Sequence, residues 1–324
     1  ARWISPMREV VLGIDTSCYT TSVAAVDARS AQVISAHRQL LQVPLGERGL
    51  RQSDGVFQHV RQLPRLMNLV SEDLRGCRIC AVCASRTPRD QDQSYMPVFQ
   101  VGTSQGQSIA AVLGVPCYDS SHQRGHLYAA RVNSTLPEGD ALFLHLSGGT
   151  TELLQWSKGN LTLLGGTADL HAGQLVDRTA VSLGLSFPGG PLLEKLAIEG
   201  DCQNRLPVSF SSQDITCHLS GAEAQVQRWI ASAAYPPETI AREVFDFLAR
   251  TVARLLHAGY QQTGISNALL SGGVASSELL RAMIIRRLQR LNPEITVFFG
   301  HPEYSGDNAV GTALIGREHW LSNT

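Results

Sequence analysis

The amino-acid sequence predicts a mixed α/β protein built from two similar lobes. Two observations support this fold class. Apolar strands alternate with amphipathic helices along most of the chain, as in sheets that are covered by helices. In addition, a strand, a turn of small residues and a second strand occur near the start of the chain and again near its middle. This weak repeat indicates that each copy opens one lobe.

Each copy of the repeat is a predicted β-hairpin with a turn of hydroxyl and glycine residues. In the first, strands 10–15 and 22–26 flank residues 16–21. In the second, strands 141–146 and 152–156 flank residues 147–151. Turns of this kind present backbone N–H groups at close range, which is what a phosphate needs. We therefore predict two lobes that face each other across a phosphate-binding cleft.

The remaining segments continue the alternation of helices and strands. A polar stretch with a proline, residues 133–138, is the most plausible boundary between the lobes. It predicts one lobe from residues 8–133 plus 305–324 and a second from residues 134–304. The further predicted helices are 105–113, 177–183, 190–198, 238–260, 278–288 and 309–319, and the further strands are 115–118, 267–270 and 296–299.

Bulk composition fits a globular protein. Apolar residues make up 43% and charged residues 17% of the 324 residues, an ordinary mixture for this class. The formal net charge of −1 gives no global basic field, so nucleic acid would need a local patch or a partner protein. No run approaches the roughly 20 apolar residues of a membrane span, and residues 1–9 lack the apolar core of a signal peptide. We therefore expect a cytoplasmic protein without membrane contact.

Three cysteines form a Cys-x-x-Cys-x-x-Cys run at Cys77, Cys80 and Cys83. Three thiolates are enough to begin an iron–sulfur or zinc site. The run lies in an apolar segment typical of a buried strand, however, where positions three apart point to opposite faces. We favour small core-filling thiols in a reducing compartment, in line with the odd total of 7 cysteines.

Two histidines, His122 and His126, lie four residues apart. On a helix this spacing places both imidazoles on one face, within reach of a single metal ion. A pair of surface histidines is the alternative, and the glutamate of the HExxH zinc-protease motif is absent. Asp307 precedes the last predicted helix, where its alternative role is an N-cap. Asp15 ends the first strand and is a natural carboxylate for a phosphate-bound metal or water, with a turn cap as the alternative.

Glycine pairs follow two of the apolar strands, at Gly148-Gly149 and at Gly272-Gly273. Without a Cβ, the backbone at these positions is able to approach a ligand closely, although an ordinary tight turn is the alternative. A third pair lies between two prolines in a rigid loop, and Asp177 lies near it. Asp177 is a candidate acceptor for a ribose hydroxyl, with a helix cap as the alternative.

Taken together, six segments resemble the TsaD family, formerly described as O-sialoglycoprotein endopeptidases or glycoproteases. They occur in the family's order and cover nearly the whole chain. Each segment alone has little specificity, whereas the ordered set is highly specific. The segments are LGIDTSC, the HxxxH of residues 122–126, LSGGTTEL, VDRTAVSLGLSFPGGPLLEKLA, LLSGGVAS and SGDNAVGTALIG.

The resemblance implies an ASKHA fold, the class shared with actin and sugar kinases, with two RNase H-like lobes around a nucleotide and metal cleft. It also implies transfer of a threonylcarbamoyl group from its adenylate to N6 of an adenosine in tRNA, together with partner proteins of that machinery. By the same match, His122, His126 and Asp307 correspond to the ligands of one divalent metal ion, for which iron or zinc is most suitable. Asp15 is the candidate catalytic residue. The candidate residues for an adenine nucleotide or acyl-adenylate are Leu146, Ser147, Gly148, Gly149, Asp177 and Gly190 from the resemblance, and Gly272 and Gly273 from the glycine pairs.

Several substrate-facing positions differ from the family pattern. Tyr19 and Thr20 stand where the family has an acidic pair, and Gln107 stands where it has a lysine. Thr150 replaces a histidine, and an asparagine is replaced near Ser277. Because the metal-ligand set is retained while these positions change, the sequence predicts a divergent paralogue.

Three alternatives to the family reaction stay open. A paralogue of this kind is able to transfer a carbamoyl group to a different acceptor. A subunit that binds nucleotide and metal and regulates a partner without turnover is favoured by the changes at Tyr19, Thr20 and Gln107. A kinase of the same fold would instead transfer phosphate from ATP. Proteolysis has no supporting motif in the sequence.

Overall fold

The computed structural model describes residues 7–43, 50–91 and 93–324. These residues divide into two compact units. The first unit comprises the chain up to Val132 together with Gly306–Thr324, and the second is Asn133–Ser305. Residues 1–6, which belong to the stretch where no signal peptide is expected, lie outside the described residues.

Helices and strands follow one another singly or in groups of two or three along the described residues. In chain order, the first stretch contains β1 (Arg8–Thr16), β2 (Thr20–Asp27), β3 (Val33–Leu40), α1 (Gln52–Asp73), β4 (Cys77–Thr87), α2 (Phe99–Leu113), β5 (Cys117–Ser121) and α3 (His122–Arg131). There follow β6 (Ala141–Leu146), β7 (Thr151–Ser157), β8 (Asn160–Thr167), α4 (Ala172–Ser182), α5 (Gly190–Glu199), β9 (Ser209–Ser211), β10 (Thr216–His218) and α6 (Ser220–Ala231). The chain continues with α7 (Pro237–Thr263), β11 (Asn267–Ser271), α8 (Glu278–Leu291), β12 (Thr296–Phe299) and α9 (Val310–Ser322).

The first unit contains a sheet with the strand order β3-β2-β1-β4-β5. The first three strands pair antiparallel, whereas β4 pairs in parallel with both β1 and β5. Val10, Leu12 and Ile14 of β1 lie in one buried cluster with apolar residues of α1 and α2. Gly13, on the opposite face of β1, lies against the start of α9. The period of two along β1 therefore separates the two helical layers of this unit.

The second unit contains a sheet with the strand order β12-β11-β6-β7-β8-β10-β9. β11 pairs in parallel with β6 and β12, and β6, β7 and β8 pair antiparallel. The long helix α7 buries Val244, Leu248, Val252 and Leu255 in the core of this unit. Burial of each such side chain stabilises the fold by about 1.5–3 kcal/mol, so α7 is a main contributor to this core.

Most of the predicted elements are present in the structure. Strands 141–146 and 296–299 coincide with β6 and β12, and helices 190–198, 238–260, 278–288 and 309–319 correspond to α5, α7, α8 and α9 with shifts at their ends. The strand predicted at 115–118 begins two residues later, as β5. The elements without a counterpart among the predictions include α1, α6, β3, β8, β9 and β10.

Two helices begin well before their predicted positions. α2 begins at Phe99 rather than at residue 105, and α4 begins at Ala172 rather than at residue 177. Each of the additional turns contains a glycine, which lowers helix propensity in a sequence. In α2 the glycine permits close packing, because a Cβ on Gly102 would lie 2.8 Å from Oγ1 of Thr16. Tertiary packing, which local propensity does not reveal, decides where these helices begin.

All three cysteines of the Cys-x-x-Cys-x-x-Cys run lie in β4 as free thiols. Cys80 and Cys83 are buried, and burial raises the pKa of Cys80 to about 11 and also raises the pKa of Cys83. Among the residues that the structure describes, the run takes part in no cluster able to hold a metal ion. Nor does any helix in the described part of the chain combine the length and apolar character needed to cross a bilayer.

Candidate functional site

Three potential metal-ligand atoms meet in the first unit, where α3 begins beside the segment that precedes α9. His122 and His126 lie one helical turn apart, and their Nε2 atoms are 3.0 Å apart. Oδ1 of Asp307 lies 3.5 Å from Nε2 of His122 and 3.4 Å from Nε2 of His126. The structure thus brings together two residues of one helix and a third that follows them by more than 180 positions in the sequence.

This triangle of atoms has the size of a metal site. Tetrahedral zinc with bonds of about 2.0–2.1 Å to nitrogen holds its ligand atoms about 3.4 Å apart. Two imidazoles and a carboxylate are a donor set that iron, zinc and manganese accept. Three protein ligands also leave at least one coordination position for a substrate or water. The residues present therefore fit one divalent ion.

Asp15 supports His122 from the sheet. Its Oδ1 lies 3.0 Å from Nδ1 of His122, and a proton on Nδ1 that donates to this carboxylate leaves Nε2 of the neutral imidazole available as a metal ligand. Asp15 is 1% exposed, and its Oδ2 has no hydrogen-bond partner among the described residues. A buried carboxylate oxygen without a partner costs free energy unless an ion or water satisfies it. The position of Asp15 is therefore a second observation that fits a bound cation.

Asp307 is held by a buried chain of hydrogen bonds. Ser17 Oγ donates to Oδ2 of Asp307 at 2.7 Å. The carbonyl oxygen of Ser17 lies 2.8 Å from Nε2 of His59, and Nδ1 of His59 lies 2.8 Å from Oγ1 of Thr21. Thr21 in turn hydrogen-bonds Gln62 at 2.7 Å. Residues of β2 and α1 thereby fix the backbone beside the metal-ligand cluster, and sequence analysis did not identify them.

Two glycines bring the ligand-bearing segments together. A Cβ on Gly311 would lie 1.8 Å from the carbonyl oxygen of Gly125, so α9 contacts α3 without an intervening side chain. Gly125 lies between the two histidines in the sequence, and Gly311 lies four residues after Asp307. Asp307 does not have the N-cap role that was its alternative, because the N-cap residue of α9 is Ala309. Oδ1 of Asn308 accepts the backbone N–H of Val310 at 3.0 Å.

The charges of this cluster stabilise one another. Burial lowers the pKa of His122, but the carboxylates of Asp15 and Asp307 outweigh it and raise that pKa well above its ordinary value. Burial raises the pKa of Asp307, but the hydrogen bonds and charges of His122 and His126 outweigh it and hold that pKa well below its ordinary range. The cluster therefore stabilises a positive charge beside Asp307, and either a proton on His122 or a metal ion is able to supply that charge.

A pocket of about 340 Å³ lies in the second unit. A pocket of this size with apolar walls and a few polar groups is typical of a small-molecule site. Its apolar lining consists of Val176, Pro188, Pro191, Phe245 and Val274, and its polar side chains are Asp177, Glu194, Ser276 and Ser277. The remaining lining is glycine backbone at Gly148, Gly173, Gly190 and Gly273.

The predicted nucleotide-binding residues divide into two groups of four. Gly148, Asp177, Gly190 and Gly273 line the pocket, whereas Leu146, Ser147, Gly149 and Gly272 do not. Leu146 is buried in β6, and Gly272 lies against its carbonyl oxygen with a φ of 101°. Ser147 Oγ accepts the backbone N–H groups of Gly149 and Thr150, at 3.3 and 3.1 Å. Leu146, Ser147 and Gly149 thus form the end of β6 and the turn that presents Gly148, and Gly272 packs against the end of that strand.

Two contacts hold the backbone around the pocket. Oδ1 of Asp177 accepts the N–H of Gly189 at 2.8 Å and so fixes the Pro-Gly-Gly loop. Gly173, which sequence analysis missed, lies against the turn after β6, because a Cβ there would be 2.6 Å from the backbone nitrogen of Gly148. The first turn of α4 is therefore placed beside that turn, and helix N-termini favour anionic ligands.

The positions that depart from the family pattern lie in different places. Tyr19 is 46% exposed, whereas Thr20 is buried at the start of β2. Gln107 is exposed on α2, and Thr150 is partly buried in the turn before β7. Ser277 lines the pocket of the second unit, where its Oγ also caps α8 by accepting the N–H of Leu280.

A second cluster of possible ligands, Cys202, Glu243 and Asp246, has a structural explanation. Glu243 accepts hydrogen bonds from the guanidinium of Arg205 at 2.8 Å and from two backbone N–H groups. Asp246 forms ion pairs at 2.7 and 2.5 Å with arginines of α7 and α8. Buried carboxylates that are fully paired with guanidinium groups need no metal ion.

Solved structures with the same fold define the class of this protein. The chain is similar to the activator of the 2-hydroxyisocaproyl-CoA dehydratase from Clostridium difficile, at 14% identity and a TM-score of 0.56, over 97% of this chain and 96% of that one. It is similar to HypF from T. kodakarensis, at 15% identity and a TM-score of 0.62, over 98% of this chain. It also matches a ROK family glucokinase from Streptomyces griseus, at 14% identity and a TM-score of 0.52, over 95% of this chain and 99% of that one. At these identities the similarity shows the fold, and the predicted ASKHA class is confirmed.

The family is defined by the sequence. The family model of the tRNA N6-adenosine threonylcarbamoyltransferases, TsaD, matches residues 94–314. This match covers more than half of the chain, which therefore belongs to the TsaD family, a family of transferases that act in tRNA processing. The chain spans about half the length of the HypF protein that it matches, since it covers 48% of that protein.

Proposed function

We propose that this chain is a metal-dependent acyltransferase of the threonylcarbamoyl type. Its donor is threonylcarbamoyl-adenylate, and its acceptor is N6 of an adenosine in tRNA, with partner proteins of the same machinery. The observation that carries this proposal is the triangle formed by His122, His126 and Asp307. Membership of the TsaD family supports the same reaction.

The first unit contributes an ion-binding centre. Nε2 of His122, Nε2 of His126 and Oδ1 of Asp307 would hold one iron or zinc ion. When bound, such an ion supplies positive charge that stabilises the negative charge developing on the transferred carbonyl or on the leaving phosphate. Asp15 was predicted as a catalytic residue. Because its Oδ2 is buried and its Oδ1 contacts His122, we assign it the role of orienting that imidazole.

The second unit contributes the adenylate pocket. Val176 and Phe245 provide apolar walls for an adenine base, and the backbone at Gly148 lies where a phosphate meets the first turn of α4. Asp177 keeps Oδ2 for a ribose hydroxyl, since Oδ1 already accepts the N–H of Gly189. Two proteins of the same fold were solved with nucleotides, the dehydratase activator with ADPNP and the glucokinase with AMPPNP. These ligands support a nucleotide for this chain as well.

A second candidate function is a subunit that binds metal and nucleotide and regulates a partner without turnover. The exposed Tyr19 and Gln107 favour it, because neither provides the charge that the family pattern has at its position. Both candidates require the same two ligands. Only turnover separates them.

The test measures product formation directly. The purified chain is loaded with iron or zinc and incubated with threonylcarbamoyl-adenylate and unmodified tRNA, with and without the partner proteins. Mass spectrometry of the digested tRNA measures N6-threonylcarbamoyladenosine. We expect product with the wild type, and loss of both the bound ion and the product with His126→Ala. The matched control is His319→Ala, which removes an exposed imidazole of α9 and should leave both unchanged.

A wild-type chain that binds metal and adenine nucleotide but forms no product under any of these conditions contradicts the transferase proposal. That result favours the regulatory subunit. Product formation that persists at the wild-type rate in metal-free His126→Ala would contradict the metal dependence.

A further inference from the structure

Arg38 lies beside the cluster of His122, His126 and Asp307, and no carboxylate of the described residues pairs with it. Arg38 is an exposed residue of β3, and its Nη1 donates to the carbonyl oxygen of Asp307 at 3.3 Å. A Cβ on Gly306 would lie 3.0 Å from Nη1, so the guanidinium packs directly against the loop that carries Asp307. Among the described residues, this carbonyl is the one polar partner of the Arg38 side chain.

The local charge balance indicates what this arginine is available to bind. His122 and His126 bind a metal as neutral imidazoles, so the two carboxylates of Asp15 and Asp307 neutralise a divalent ion. Within the described part of the chain, the guanidinium of Arg38 then remains as positive charge that no carboxylate neutralises. A guanidinium has five N–H donors in a planar fork, and one of them is used here. An oxyanion is the ligand that matches both this charge and these donors.

We propose that Arg38 is the specificity-determining residue of this centre and that it recognises a carboxylate or a phosphate of the substrate. This inference rests on the proposed function, because the recognised oxyanion lies next to the ion held by His122, His126 and Asp307. Arg38 is not a metal ligand. Its effect is therefore separable from metal binding itself.

The experiment uses the full chain loaded with cobalt(II), whose visible absorption changes when an anion binds the ion. Inorganic phosphate is titrated in one arm and acetate in the other. For Arg38→Gln we expect about 10-fold to 100-fold weaker binding of the recognised anion, the range for loss of a hydrogen bond to a charged group. The affinity for cobalt should be unchanged. Arg38→Lys should give an intermediate value, because it keeps the charge and loses the fork.

The matched control is Arg29→Gln, which removes another exposed guanidinium of the first unit, 85% exposed in its side chain. It should leave both anion affinities unchanged. A loss confined to phosphate identifies the recognised group as a phosphate, and a loss confined to acetate identifies a carboxylate. If Arg38→Gln binds cobalt and both anions with wild-type affinity, the proposed role of Arg38 is wrong, whereas the proposed metal site is unaffected. A wild type that binds no cobalt overturns the proposed function itself.

Discussion

Replacement of Asp15 by asparagine should weaken metal binding without removing a metal ligand. The Oδ1 atom of Asp15 lies 3.0 Å from Nδ1 of His122 and favours the tautomer in which Nε2 is available to bind an ion. Asp15→Asn keeps the shape of the side chain but removes the negative charge and lets the amide present either an acceptor or a donor. The imidazole is then less basic and less well oriented.

The size of the effect follows from the contact. Loss of the hydrogen-bond partner of a metal-ligating histidine lowers metal affinity by about 10-fold to 100-fold. At a metal concentration of about 1,000 times the wild-type Kd, binding stabilises the folded state by about 4.1 kcal/mol. The weaker affinity of Asp15→Asn would leave about 1.4–2.7 kcal/mol of this stabilisation. Metal therefore stabilises Asp15→Asn less than it stabilises the wild type. For a folding unit of this size, the metal-dependent rise in Tm should be about 3–10 °C smaller for Asp15→Asn than for the wild type.

Competition against a chelator of known zinc affinity measures the Kd, and thermal unfolding with and without metal measures the stabilisation. Asp27→Asn is the matched control, because it neutralises another buried carboxylate of the same sheet and should leave the Kd unchanged. An Asp15→Asn variant that binds zinc with wild-type affinity would refute the assignment of Asp15 as the residue that orients His122.

Three further predictions concern the rest of the chain. Gly173→Ala should lower AMP affinity at least 10-fold in calorimetry, because its Cβ would lie 2.6 Å from the nitrogen of Gly148, whereas Gly221→Ala, with open space around its Cβ, should have no effect. Hydrogen bonds from Ser30 and Arg8 hold the pKa of Asp27 below its usual value. The ionised carboxylate of Asp27 therefore stabilises the folded state fully above about pH 4, and this contribution is lost as the pH falls further. In urea unfolding, Asp27→Asn should therefore have a lower free energy of unfolding than the wild type at pH 7, and this difference should become smaller below about pH 4. A difference of the same size at both pH values would contradict the prediction. Glu243→Gln should destabilise the second unit by about 3–5 kcal/mol, while the metal content measured by elemental analysis stays at one ion per chain.

Local sequence patterns predicted most of the strands and the long amphipathic helix of the second unit, but not α1. β6 and β12 coincide with their predicted bounds, and α7 differs from its predicted helix by a few residues. The starts of α2 and α4 were wrong, because Gly102 and Gly173 lower helix propensity while tertiary packing selects them. Helix propensity depends only on the residues of the segment itself. Packing depends on the other elements that contact the segment, and these are not visible in its local sequence.

For the metal-ligand cluster, the sequence indicated the residues but not their support. The spacing of His122 and His126 predicted a shared helix face, and the structure places Asp307 beside them. The contributions of Ser17 and His59 had no signal, because a hydrogen bond between residues 290 positions apart leaves no periodic pattern. Only the fold shows that such side chains meet.

The position of a bound metal ion tests the central claim most directly. Crystals of the zinc-loaded or iron-loaded protein give an anomalous difference map at the absorption edge of the metal. We expect a single strong peak about 2.0–2.2 Å from Nε2 of His122, Nε2 of His126 and Oδ1 of Asp307. A map with no peak at these three atoms, from protein shown by elemental analysis to contain the metal, would contradict the account.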